Sequence, residues 1–189
     1  MPPRYKFTKE EIVQSALEIV RESDMDAVTA RAVADRLHAS SKVIFGLFPD
    51  MAALKSAVLA AADEIYQKRI AEAMTSGQYP PYKASGMAYI RFAREERSLF
   101  RLLFMRDRTG ESLQDTESIE PIIEIICRTT GMSREEALHF HLEMWVYVHG
   151  IATMIATGYF NWDMEQVSGM MTDAYTSLCL RFCPHAAPK

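Results

Sequence analysis

The stretch TARAVADRLHASSKVIFGLFPDMAAL at residues 29–54 constrains the fold more than any other part of the chain. Thr29 opens a short helix whose inward face is Val33, Ala34 and Leu37. His38-Ala39-Ser40 then makes a three-residue turn, and Val43, Ile44 and Phe48 pack a second short helix back onto the first. Two helices joined so tightly form a helix-turn-helix, and the polar side of the second stands clear of the surface. That geometry suits the major groove of double-stranded DNA.

The remaining sequence is also helical in pattern. Thr8 and Glu11 have capping-box spacing, and Ile12, Ala16, Leu17 and Val20 mark one face of a helix over 8–23. Asp50 caps a long helix over 51–75, with Leu54, Val58, Ala61, Ile65 and Ile70 on one side. GQYPPY at 77–82 is the clearest break. Helices follow at 83–96, 98–108, 117–130, 134–157 and 163–182, with a polar loop at 108–117. Pro121 fits an early turn of its helix, and Gly131 is a C-terminal stop. Ser133 and Glu136 form a second capping box, and Asn161 or Asp163 starts the last helix. The pattern contains no internal repeat and no convincing strand. The expected fold class is all-α, with about nine helices: three short ones, then a larger bundle.

Charge and composition narrow the function classes. The net charge of −4 excludes a protein coated all over in basic residues. Basic side chains nevertheless gather near the motif: Arg4, Lys6 and Lys9 before it, and Arg31, Arg36, His38 and Lys42 within it, opposed there only by Asp35. Recognition is expected from Ser40, Ser41 and Lys42 on the exposed side of the second helix, since lysine and serine donate to base edges or phosphates. Thr29 is placed to hold a phosphate, to cap its helix, or to do both. A reader this short covers few base pairs, so a dimer on a pseudo-palindromic operator is expected. No apolar run reaches the roughly 20 residues that span a bilayer. MPPRYKFTKEE lacks the apolar region of a signal peptide, so a cytoplasmic location is expected.

Catalytic and metal chemistry find little support. There is no phosphate-binding glycine loop, nucleophile elbow or HExxH. His139 and His141 fall on different sides of a helix. Cys179 and Cys183 share a helical face, but no third ligand completes a zinc site, and Cys127 stands apart. No enzyme activity, metal or cofactor is expected.

The chain resembles the TetR family of transcriptional regulators. Thr29, Ala34, Leu37, Ser40, Phe45, Phe48 and Leu54 stand at the spacings of the family's DNA-binding motif. YIRFAREERSLFRLLF at 89–104 and WVYVHGIATMIATGYF at 145–160 resemble its WHG-type ligand domain. His38 replaces the usual turn glycine, Phe45 a phosphate-binding tyrosine, and Met51 a lysine that opens the fourth helix. Loss of a cationic contact weakens affinity and flattens its salt dependence, so the resemblance implies either weaker DNA binding than in its relatives or compensation by Arg4 and Lys6.

The resemblance implies a DNA-binding domain over 1–50 and an effector-binding and dimerisation domain over 51–189. It implies DNA contacts from Arg4, Lys6, Thr29, Arg31, Ser40, Ser41, Lys42 and Phe45. It also implies a pocket for a small hydrophobic effector, lined by Phe92, Phe100, Leu103, Phe104, Ile123, Ile126, Met144, Tyr147 and His149. Each of these apolar residues fits plain core better than ligand contact, and His149 fits a structural histidine at least as well. The last two long helices, within 134–182, are apolar on several faces and imply a homodimer or a closed monomer core. The expected function is a repressor released from its operator by the effector. The alternative is a helical dimeric adaptor with impaired DNA binding, to which Phe45 and Met51 point.

Overall fold

A computed structural model describes residues 7–107 and 116–182. Among these the chain is all-α: nine helices and no strand. They are α1 Lys9–Glu22, α2 Ala30–Arg36, α3 Lys42–Leu47, α4 Met51–Thr75, α5 Pro81–Glu95, α6 Arg97–Phe104, α7 Thr116–Thr130, α8 Arg134–Ala156 and α9 Met164–Phe182. None of the described helices is long and apolar enough to cross a membrane.

Local chemistry sets most of the helix ends. Thr8 Oγ1 accepts from the Glu11 N–H at 3.2 Å while the Glu11 carboxylate accepts from the Thr8 N–H at 2.7 Å. Ser133 and Glu136 repeat this box at the start of α8. Asp50 caps α4 by accepting from the Ala53 N–H at 2.7 Å. Asp163, rather than Asn161, caps α9: it accepts from the Gln166 N–H, and the Gln166 side chain accepts in return from the Asp163 N–H. Gly131 ends α7 at φ +77°.

The sequence expectation needs three adjustments. α5 begins at Pro81, where a missing N–H costs nothing because first-turn donors have no helical acceptor. α7 begins at Thr116, a residue before the expected start, with Pro121 in its second turn. In α4 the buried row is Leu54, Val58 and Ala62, a strict four-residue step, while Ala61, Ile65 and Ile70 are only half-buried.

The turn of the helix-turn-helix shows how this sequence accommodates an unusual residue. His38 has φ +50° and is the one non-glycine residue with positive φ among those described. The Ala39 N–H reaches back to the Ala34 carbonyl at 2.9 Å, and the His38 N–H to that of Asp35 at 3.1 Å. These two bonds make the left-handed helix stop that normally selects glycine. A side chain there costs about 1 kcal/mol, so His38→Gly is expected to raise the unfolding free energy by about 0.5–1 kcal/mol in urea titration. An unchanged or lowered midpoint would mean that His38 makes a compensating contact.

Packing divides the described chain into two compact units. The first holds residues up to Gln67 together with Glu96–Arg106; the second holds Lys68–Glu95 and the residues from Asp107 onward. The core of the first unit is formed by Ile12, Ala16, Leu17 and Val20 of α1, Val33, Ile44 and Leu54 of the next three helices, and Leu99 and Phe100 of α6. α6 joins α1 through polar contacts as well. The Arg21 guanidinium forks onto Glu96 at 2.9 and 3.1 Å, and Ser98 Oγ donates to the Arg21 carbonyl. The second unit is built on α8, which packs against α5, α7 and α9. Its core includes Met87, Ile90, Phe92, Ile123, Ile126, Phe140, Met144, Ile151, Val167 and Met171.

Candidate nucleic-acid interface and effector domain

α3 has two contrasting sides. Ile44 and the following Phe48 are buried, with Val43 and Leu47 half-buried, and these hold the helix down. Ser41, Lys42, Phe45 and Gly46 are exposed, at the helical spacing that aligns them on one face. The helix carries no acid. Lys42 therefore presents its ammonium without a carboxylate on its own element, and no ion pair holds it among the described residues.

The other expected contacts vary. Thr29 serves as the N-cap of α2, its hydroxyl accepting from the Ala32 N–H at 3.1 Å. Ser40 is exposed, and its hydroxyl accepts from the Lys42 N–H at 3.4 Å. Ser41 stands at the N-cap of α3 without making a side-chain cap bond. Arg31 is almost fully exposed, 3.7 Å from Asp35 one turn on. Phe45 is half-exposed. Arg4 and Lys6 lie outside the described residues, as does Cys183.

Arg36 takes a different part from its neighbours. Its guanidinium forks onto Glu22 at 2.6 and 2.7 Å, tying α2 to the end of α1. The hydrogen bonds hold the Glu22 carboxyl below the usual carboxylate range and the Arg36 guanidinium above its own. Nothing within residues 29–54 signals this pair, because its acid lies in the preceding helix.

The residues expected to line an effector pocket are divided between the units. Phe100, Leu103 and Phe104 belong to the first, where Phe104 packs edge-on against Tyr66 with ring centroids 5.0 Å apart. Phe92, Ile123, Ile126 and Met144 are buried in the second, whereas Tyr147 is exposed. His149 is engaged from both sides. Tyr89 Oη lies 2.8 Å from its Nδ1, Thr153 Oγ1 lies 3.4 Å from its Nε2, and Trp145 stacks on its ring at 5.1 Å. Burial lowers its pKa, and that of His141 beside Tyr82, by disfavouring the charged ring.

Two further features follow from the structure. One is a groove of about 360 Å³ in the second unit, between the end of α4 and α5. Its walls include Arg69, Tyr79, Met87, Arg91, Phe92 and Glu95, of which only Phe92 was expected to meet a ligand. The other is an apolar row on α8. Leu142, Trp145, Val146 and Met154 are exposed there at helical spacing, and Leu180 is exposed on α9. Among the described residues, no group of three or more His, Cys, Asp or Glu side chains is placed to hold a metal ion. Cys127 and Cys179 are half-buried, and neither is in a disulfide.

No individual curated protein matches the chain. Residues 82–175, about half of it, match the family described as the tetracyclin repressor-like C-terminal domain. This span covers α5 from its second residue, the whole of α6, α7 and α8, and reaches into α9. The matched domain lies C-terminal to an all-helical segment that carries the helix-turn-helix spacing. The chain belongs to the TetR family of regulators.

Proposed function

We propose that the protein is a DNA-binding transcriptional repressor, released from a pseudo-palindromic operator by a small hydrophobic effector. It acts by binding rather than by catalysis. Residues 1–50 contact DNA, and residues 51–189 bind the effector and form the homodimer. The observation that carries the first part is the face of α3: Ser41, Lys42 and Phe45 outward, Ile44 buried, and no acid in the helix. Lys42 meets a guanine edge or a phosphate, and Phe45 lies against the thymine methyl or the sugar backbone.

The homodimer is proposed through residues 134–182. The uncovered row Leu142, Trp145, Val146 and Met154 supports it, as do two mid-helix glycines with open space around them. A Cβ at Gly150 or Gly169 would meet nothing within 4 Å in the single chain. Glycine in a helix interior costs about 1 kcal/mol relative to alanine, so close approach by a second helix is a natural reason for its presence. Within the effector domain, the buried apolar side chains Phe92, Ile123, Ile126 and Met144 supply hydrophobic contacts, with Trp145, His149 and Gly150 as its WHG-type run.

Fluorescence anisotropy against DNA from upstream of the protein's own gene, with a scrambled control and a salt titration, tests the reading. Lys42→Ala is expected to weaken specific binding by about 1–3 kcal/mol, roughly 5- to 150-fold. If Lys42 meets a phosphate, the salt slope also falls by about 0.9. Equal, weak binding to both fragments and insensitivity to Lys42→Ala would instead favour the adaptor reading, which the half-exposed Phe45 ring supports.

A further inference from the structure

The α4–α5 groove has a chemistry that the hydrophobic-effector description omits. Tyr79 gives it an aromatic wall and Ala73 a small apolar one, above the buried Met87 and Phe92. Four charged side chains line it: Arg69, Glu72, Arg91 and Glu95. Arg69 donates to Glu95 at 2.7 Å and lies over the Phe92 ring at 5.6 Å, so that pair is mutually neutralised and fixed in place. Glu72 faces Lys68 one turn away, at 4.0 Å. Arg91 remains. It is half-buried, and no ion pair or hydrogen bond engages it among the described residues.

A guanidinium beside an apolar wall, with its neighbours already paired, is a site for one added negative charge. Its planar fork matches a carboxylate in two parallel hydrogen bonds, and the low-dielectric wall strengthens them. The volume falls in the roughly 300–1,000 Å³ range of small-molecule sites. We infer that this groove binds an amphipathic organic carboxylate, with the acid on Arg91 and the alkyl or aryl body against Tyr79 and Ala73. The inference rests on the effector reading above and names the ligand's chemical class and position. Because Arg69 and Ala73 belong to α4, such a ligand touches the same helix that Asp50 caps directly after the DNA-reading segment.

Calorimetric titration of the full chain with octanoate, decanoate and hydrocinnamate, each beside its amide, tests this. At least one acid is expected to bind, with its amide tenfold or more weaker. Arg91→Gln should remove that preference while leaving the amide's weak binding unchanged, and Arg91→Lys should restore part of it. Ala73→Phe, which fills the groove from the α4 side, should abolish binding of both. Equal binding of acid and amide, full binding by Arg91→Gln, or no binding of any acid would overturn the inference. Anisotropy on DNA is read in parallel. Specific DNA binding without carboxylate binding sinks this inference alone, and carboxylate binding without specific DNA binding sinks the regulator reading alone.

Discussion

Val146→Arg is expected to turn a dimer into a monomer of 21.5 kDa, read by sedimentation velocity or light scattering. Val146 is 64% exposed in the single chain, so an arginine there disturbs no internal packing, and the helical circular dichroism should be unchanged. Between two copies of α8 the same charge would be buried against its symmetry mate. An uncompensated buried charge costs several kcal/mol, enough to raise the dimer dissociation constant by about three orders of magnitude. Operator affinity should fall with it, because two linked reading heads bind far better than one. A native chain that sediments as a monomer, or a variant that stays dimeric, would remove the α8 surface from the proposal.

The largest loss of stability is expected from Phe140→Ala. Phe140 is fully buried in the second unit, edge-on to Tyr175 at 5.4 Å and to Phe182 at 5.9 Å, and tilted against Tyr82 at 6.1 Å. Truncation removes the ring from all three neighbours and leaves a cavity between α8, α5 and α9. Such changes cost about 3–5 kcal/mol, which for a chain of this size is a fall of roughly 6–20 °C in melting temperature. Phe140→Leu, which keeps most of the volume, should recover at least half of the loss. A drop below about 1 kcal/mol for the alanine variant would mean that this part of the core relaxes to fill the space.

The parts of the fold that the sequence disclosed are those decided within a few residues. Thr8 with Glu11, Asp50, and Ser133 with Glu136 each cap a helix because the capping side chain and its N–H partner are three positions apart. The positive φ at position 38 was suggested only by the resemblance, through the glycine that usually stands at this turn. Phase was harder to read. α4 buries Ala62 rather than Ala61, and neighbouring alanines offer no contrast to fix which faces inward. α8 is apolar around much of its girth, so the sequence alone did not separate the inward Val148 from the outward Val146.

Long-range pairs were invisible. Glu22 and Arg36, Tyr89 and His149, and Arg69 and Glu95 meet only because helices pack, and no local pattern announces them. This explains why the α3 face was foreseen residue by residue while the α4–α5 groove was not. The exposed face of one short helix is a local object. A ligand site between helices depends on side chains drawn together from separate turns.

The connection from α3 to α4 has a consequence for how this chain can change over generations. Only Phe48, Pro49 and Asp50 separate the two helices; Phe48 is buried, proline fixes its own φ, and Asp50 is committed to its cap. Such a link works as a crank, with no slack to absorb a change in length. One residue inserted into the first turns of α4 would rotate everything before it by about 100° around that helix, moving Lys42 and Phe45 off their bearing. Insertions and deletions at this point are therefore expected to be lost from any lineage that depends on the reading face. If α3 reads DNA as proposed, new operator preferences arise by exchanging side chains at positions 41, 42, 45 and 46, with the backbone left as it is.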